Sequence, residues 1–142
     1  MDMAEVTVRP ARASDARAIG AVGHAAWLKG IGVHVGPEAH ARITPATFAL
    51  FATELGDNYI SDVWVAPDHE GRGVATALIA AVEAVIRARG FDCFEIEVLT
   101  ANERALRLYR HLGYEVTWQG CRDDLALAQE LPKTRLSKAA AP

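Results

Sequence analysis

"DHEGRGVATALIAAVEAVIRARG", residues 68–90, passes from a glycine-rich knot into a long apolar helix with no spacer between them. A glycine inside a helix is about 1 kcal/mol less favourable than alanine. Gly71 and Gly73 at a helix entrance therefore mark backbone that must come close to something. The first amides of a helix, about four of them, lack intrahelical acceptors, and the end carries a partial charge near +0.5. Glycines just before it remove the side chains that would hold a phosphate away. Gly71, Arg72, Gly73, Val74, Ala75 and Thr76 thus form a candidate diphosphate seat, with Arg72 adding charge and Thr76 a hydroxyl. Two familiar phosphate loops are excluded. A P-loop needs Gly-Lys-Ser/Thr, and a dinucleotide fingerprint needs a third glycine where Thr76 stands. Taken alone, Gly-x-Gly reads equally well as a tight strand-to-helix turn.

Working outward, the chain of 142 residues has the length of a single domain (1–142) and enough to bury a core. Its formal charge of −3 and 23% charged residues argue against a nucleic-acid-binding face. The run from Val74 to Val82 is broken by Glu83 and Arg87 and is too short to span a bilayer. "MDMAEVTVRP" has no signal-peptide pattern, and two distant cysteines, Cys93 and Cys121, fit reduced thiols in a cytoplasm. The histidines are scattered and no Cys or His pair has zinc-like spacing, so no metal is expected.

Glu5 to Arg9 alternates, with Val6 and Val8 on one face, and predicts a short strand. Ser14-Asp15 caps a helix with an apolar stripe of Ala18, Ile19, Val22, Ala26 and Trp27. Lys29 to Glu38 reads as an irregular surface loop. Thr44-Pro45 opens a helix whose Phe48, Phe51, Ala52 and Leu55 share a face, with Gly56 as its stop. The alternative is a strand over Thr47 to Thr53. Tyr59 to Val65 is predicted as a strand, followed by a helix from Val74 to Arg89 and a strand from Phe94 to Leu99. A helix over Ala101 to Leu112 ends at Gly113. Glu115 to Gln119 and Lys133 to Leu136 close the sheet. Strand, turn, helix, strand is a βαβ unit, so the strands at Tyr59 and Phe94 should run parallel.

The second informative block is "NERALRLYRHLGY", residues 102–114: an asparagine opening a helix, a tyrosine seven residues on, then Leu-Gly-aromatic. Together with "VWVAPDHEGRGVATAL", it resembles the GCN5-related N-acetyltransferase (GNAT) superfamily over Tyr59 to Leu136. The opening strand and helix are similar as well. The resemblance implies an α/β (α+β) fold: a mixed, mostly antiparallel sheet flanked by helices around a central βαβ unit. It implies acetyl-CoA as cosubstrate and a small amine or peptide as acceptor. By position, the backbone of Val63, Trp64 and Val65 pairs with the pantetheine arm, the amides of Gly71 to Thr76 hold the diphosphate, and Asn102 bonds the arm. Tyr109 protonates the departing thiolate, a task suited to a phenol's pKa near 10. From the residues alone, Asn102 is also a helix cap and Tyr109 a core aromatic. Asp62 is the candidate general base, with Glu95, Glu97 and His111 as alternatives.

The chain departs from the family in two places. Where the phosphate motif usually carries Gln or Arg, this chain has Glu70, which must point away from a diphosphate or pair with Arg72. Only Gly56 to Asn58 separates the Pro45 helix from the Tyr59 strand, so the family's hairpin is shortened or missing. The exposed edge this would leave predicts a homodimer that covers Tyr59–Val65 or re-pairs the Val6 strand. With no cysteine placed as a nucleophile, direct attack by the amine is expected. The alternative is a non-catalytic acyl-CoA-binding or regulatory module. The acceptor pocket is expected from Trp27, the Lys29–Glu38 loop and a Gly120–Leu131 loop.

Overall fold

Apolar residues at helical spacing and one run of alternating strand residues account for most of the elements in the computed structural model, which describes residues 6–47, 58–60 and 63–140. The helices are α1 (Ala16–Gly30), α2 (Pro37–Arg42), α3 (Val74–Ala88) and α4 (Glu103–His111). The strands are β1 (Cys93–Leu99), β2 (Glu115–Asp124) and β3 (Gln129–Ala139). By its internal contacts the chain divides into two units. The first is Met1–Leu55 with Asp62–Ala81, and the second is Gly56–Ser61 with Val82–Pro142. No helix among the described residues is long and apolar enough to cross a membrane.

In the first unit, α1 starts where expected, but Asp15 does not cap it with its side chain. Its carboxylate instead accepts from the Arg12 amide at 2.7 Å and from both terminal nitrogens of the Arg9 guanidinium. These bonds hold the Asp15 carboxyl well down, at about 2. Among the described residues the strand expected over Glu5 to Arg9 is not seen: residues 6–12 take no regular structure and lie exposed.

The segment from Lys29 to Glu38 is more ordered than its glycines suggest. α1 runs on to Gly30, a 3-10 turn spans Gly32–His34, and Pro37 opens α2 from its first turn. Aromatic packing closes this corner: the buried Trp27 stacks with His24 and meets His40 edge-on at 5.3 Å, while His40 reaches the Gly32 carbonyl at 2.7 Å. Residues 45–47 are helical, as Thr44-Pro45 predicts. The remainder of that helix (48–55), the alternative strand over 47–53 and the shortened hairpin lie outside the described residues.

In the second unit, β1 and β2 both pair antiparallel with β3, giving the order β1-β3-β2. Ile96 faces Leu136 across one pair and Glu97 faces Arg135. Phe94, Ile96 and Leu136 are buried on one face with Tyr109 and Tyr114. Of the expected Tyr59–Val65 strand, the described residues form one parallel bridge, Tyr59 to Glu95. Ile60 N–H donates to the Glu95 carbonyl at 2.8 Å, and Glu95 N–H to the Asn58 carbonyl at 3.0 Å. The parallel sense is as predicted, but residues 63–66 form no strand. The closing strands are longer than expected. β2 runs to Asp124, so Cys121 lies on a strand and the predicted Gly120–Leu131 loop shrinks to residues 125–128. Asp124 accounts for this: it accepts from the Leu127 amide at 3.0 Å and from Lys133 at 2.8 Å, closing a tight hairpin.

Candidate active site

The glycine turn forms as its sequence requires. After a 3-10 turn at Pro67–His69, Glu70 is extended, and Gly71 and Gly73 both take left-handed backbone, with φ of 76° and 77°. Residues with a Cβ rarely adopt that region. Among the described residues, and apart from its chain neighbours, a Cβ built on either glycine would meet no atom within 4 Å, so these residues leave the space over the turn open. The Gly73 carbonyl accepts from Ala77 N–H at 3.0 Å. The amides of Val74, Ala75 and Thr76 are therefore the first-turn donors that have no intrahelical acceptor. Gly71, Arg72, Gly73 and Thr76 are exposed. Open space, unsatisfied donors and the helix dipole converge here, and that combination fits a phosphate group.

Glu70, the residue at odds with a phosphate site, does not rely on Arg72. Its carboxylate accepts from Lys29 Nζ, on α1, at 2.6 Å. In the sequence Lys29 reads only as the start of a loop. Its partnership requires the fold to bring residues 41 positions apart together.

The second motif lies in the other unit. Asn102 caps α4: its Oδ1 accepts from the Ala105 amide at 3.3 Å, so the cap reading of Asn102 holds. Its Nδ2 is not used by that bond. Tyr109 is only 4% exposed and meets the Tyr114 ring edge-on at 5.4 Å, so its core role is also real. Leu112-Gly113-Tyr114 explains this contact. Gly113 takes φ of 97°, Tyr114 N–H returns to the Tyr109 carbonyl and Gly113 N–H to the Arg110 carbonyl, both at 3.0 Å. This is a Schellman cap, whose usual accompaniment is a contact between the residues it brings together. The helix stop thereby sets Tyr114 against Tyr109.

Sequence reasoning missed a further role of Tyr114. Its hydroxyl donates to Glu83 Oε2 on α3 at 2.6 Å, inside the core, and Lys138 Nζ on β3 reaches the same carboxylate oxygen at 3.2 Å. Burial pushes the Tyr114 phenol far above its ordinary range, and the Glu83 carboxylate adds to the effect. The signal is present in the sequence. Glu83 stands four residues after Ile79 and three before Ile86, both buried, so it lies on the helix's core face.

Among the candidate bases, Asp62 lies outside the described residues. Glu95 is paired with Arg135 at 3.0 Å, and Glu97 with Arg122 at 3.3 Å and Arg135 at 3.7 Å. His111 is exposed on the last turn of α4. Among the described residues, no group of three His, Cys, Asp or Glu could hold a metal ion.

Residues 26–114, more than half of the chain, match the acetyltransferase (GNAT) family. The chain belongs to that family. Over 67 residues it is 34% identical to the thialysine N-epsilon-acetyltransferase of Mus musculus, a stretch that covers 46% of this chain and 39% of that protein. The chain thus spans about two fifths of the length of such curated relatives. A GCN5-related N-acetyltransferase from Rhodopseudomonas palustris shares the fold with a TM-score of 0.79 at 23% identity, over 98% of both chains. The yncA protein of Salmonella typhimurium, solved with its cofactor acetyl-CoA, gives 0.71 at 19% identity over 98% of this chain and 96% of that one. The GNAT fold expected from the two motifs is therefore present.

Proposed function

We propose that this chain is an N-acetyltransferase that moves the acetyl group of acetyl-CoA onto a primary amine by direct attack. The observation that carries the proposal is the open, left-handed Gly71-Arg72-Gly73 turn at the head of α3 in a chain of the GNAT family. In this reading the amides of Gly71 to Thr76, with Arg72, take the diphosphate, and Val63, Trp64 and Val65 line the pantetheine arm. Asn102 offers its Nδ2 to the same arm while its Oδ1 stays on the helix cap.

The amine nitrogen attacks the thioester carbonyl carbon, and the carbon–sulfur bond breaks as the tetrahedral adduct collapses. The leaving sulfur takes the Tyr109 phenolic proton, and a base takes the proton from the new amide nitrogen. Asp62 remains the proposed base. It is favoured over Glu95 and Glu97 because the carboxylates of both are already engaged by arginines. The acceptor is a small amine or a peptide. A homodimer and a cytoplasmic setting belong to the same reading, the latter supported by the unbridged thiols of Cys93 and Cys121.

Tyr109→Phe tests the chemistry. It keeps the ring against Tyr114 and deletes only the hydroxyl, so acetyl-CoA affinity should hold while turnover falls about 10²- to 10⁴-fold. Thiol release from acetyl-CoA over a panel of amines provides the assay. Equal turnover would return Tyr109 to a purely structural role. Coenzyme A binding with no product from any amine would favour the non-catalytic binding module instead.

A further inference from the structure

One irregularity in β2 decides what its outer face carries. Val116 pairs with Leu136, and a regular register would next set Trp118 opposite the buried Thr134. Thr117 is instead the extra residue of a β-bulge, so that Trp118 pairs with Arg135 and Gln119 with Thr134. A bulge of this kind re-aims the side chains that follow it. Because side chains alternate along a strand, Trp118, Gly120 and Arg122 share the face that carries Arg135 and, on β1, Glu97. Gln119 takes the other face and donates to Thr134 Oγ1 at 3.2 Å.

The three β2 residues form a shelf. A Cβ at Gly120 would lie 2.6 Å from Cζ2 of Trp118, so the glycine is what lets the indole lie over the strand. The Arg122 guanidinium sits over the same indole, 4.5 Å from the ring centroid, and its Nε faces Glu97 Oε1 at 3.3 Å. Among the described residues nothing accepts a hydrogen bond from its terminal nitrogens, Nη1 and Nη2, and the side chain is 49% exposed. A guanidinium stacked on an aromatic plane and pinned at Nε presents those nitrogens as a fixed fork, the shape that takes a carboxylate bidentately. Behind the fork, Glu95 and Glu97 balance Arg122 and Arg135. These four charges therefore have no net sign to draw in a bare anion, and a zwitterion leaves their balance undisturbed.

We infer that the Trp118–Gly120–Arg122 shelf binds the carboxylate of an amino acid, and that the amine acceptor of this chain is of that class. The second half rests on the acetyltransferase reading; the first does not.

The test follows the Trp118 indole N–H by heteronuclear NMR, with Trp118→Phe assigning it among the three tryptophans. The full chain, without acetyl-CoA, is titrated with glycine, L-alanine and L-lysine and with their carboxamides, which keep the amine and lose the carboxylate. An amino acid should shift the resonance saturably and its carboxamide should bind roughly tenfold more weakly, the scale of a hydrogen bond to a charged group. Arg122→Gln leaves Glu97 on Arg135 at 3.7 Å and should weaken the amino acid by about the same factor. Arg122→Lys should fare little better, since an ammonium has no fork. Gly120→Ala should displace the indole and weaken binding as well, with thermal melting to show that the variant is folded. In the thiol-release assay Arg122→Gln should raise KM for a carboxylate-bearing amine about tenfold with kcat little changed, and leave KM for the matching decarboxylated amine where it was.

Equal binding of an amino acid and its carboxamide, wild-type affinity in Arg122→Gln, or no saturable shift with any of the three amino acids overturns the inference. An unmoved KM in Arg122→Gln overturns its second half. Arg122-dependent binding with no acetyl transfer to any amine upholds the shelf and removes the acetyltransferase reading itself.

Discussion

Replacing Tyr114 with phenylalanine deletes one oxygen from a buried ionic cluster and leaves every ring contact in place. The hydroxyl lies 2.6 Å from Glu83 Oε2, with Tyr114 2% and Glu83 8% exposed. A hydrogen bond to a charged partner contributes about 1.5–3 kcal/mol, twice the neutral value. Glu83 keeps Lys138, at 3.2 and 3.4 Å from its two oxygens, so its charge is not orphaned. The expected loss is therefore about 2 kcal/mol, or roughly 6–10 °C in Tm for a chain of this size. The pH dependence gives a second reading of the same bond. Because the folded-state phenol titrates far above its ordinary value, the stability it confers is complete below about pH 10. Above that pH the unfolded chain releases the proton while the folded chain retains it, and stability falls by about 1.4 kcal/mol per pH unit. Phenylalanine has no proton to lose. Urea unfolding from about pH 8 to 11 should thus show a steeper alkaline decline for the wild type than for Tyr114→Phe, with the gap between them closing as pH rises. A variant within about 0.5 kcal/mol of the wild type near pH 8, or parallel slopes above about pH 10, would refute the argument.

Gly73→Val tests the phosphate seat. At φ of 77° a β-branched residue is strained by about 1–3 kcal/mol, so the unliganded Tm should fall. The informative quantity is the shift on adding coenzyme A, which should vanish; an undiminished shift would move the diphosphate elsewhere. Light scattering at micromolar concentration tests the homodimer proposed to cover the Tyr59–Val65 segment. A concentration-independent monomer would remove it.

The parts of the fold legible from sequence are those in which local chemistry and packing demand the same thing. α3 and α4 follow from apolar spacing, with Asn102 at the start of α4 and Gly113 at its end, and β1 from its alternating apolar residues. The misreadings share one cause: tertiary partners that no local pattern announces. Val6 and Val8 alternate as strand residues do, yet residues 6–12 take no regular structure, since alternation alone does not supply a ladder. The glycines from Gly30 to Gly36 signal a loop, but Pro37 and the packing of His40 on Trp27 make a helix of the next six residues. Gln119 reads as the end of β2, although Asp124 closes a hairpin five residues further on.

At the candidate site the same division separates motif from environment. Gly71, Gly73, Asn102 and Tyr109 are legible because each does something its residue type does well at a helix end: left-handed backbone, a cap, a ring under a turn. None of those local roles competes with the chemical role proposed for it. The glycine turn leaves its amides beside open space, and the Asn102 cap uses Oδ1 while Nδ2 remains a donor. Lys29 and Glu83 cannot be named in this way, since each is defined by a partner 41 or 31 residues distant. Both nevertheless belong to places where the sequence already looks wrong, a carboxylate before a phosphate turn and a carboxylate on the core face of a helix. A charge that contradicts its local surroundings requires a partner of opposite sign or a strong donor. In this chain the two such carboxylates locate the two lysines and the one phenol that sequence reasoning passes over.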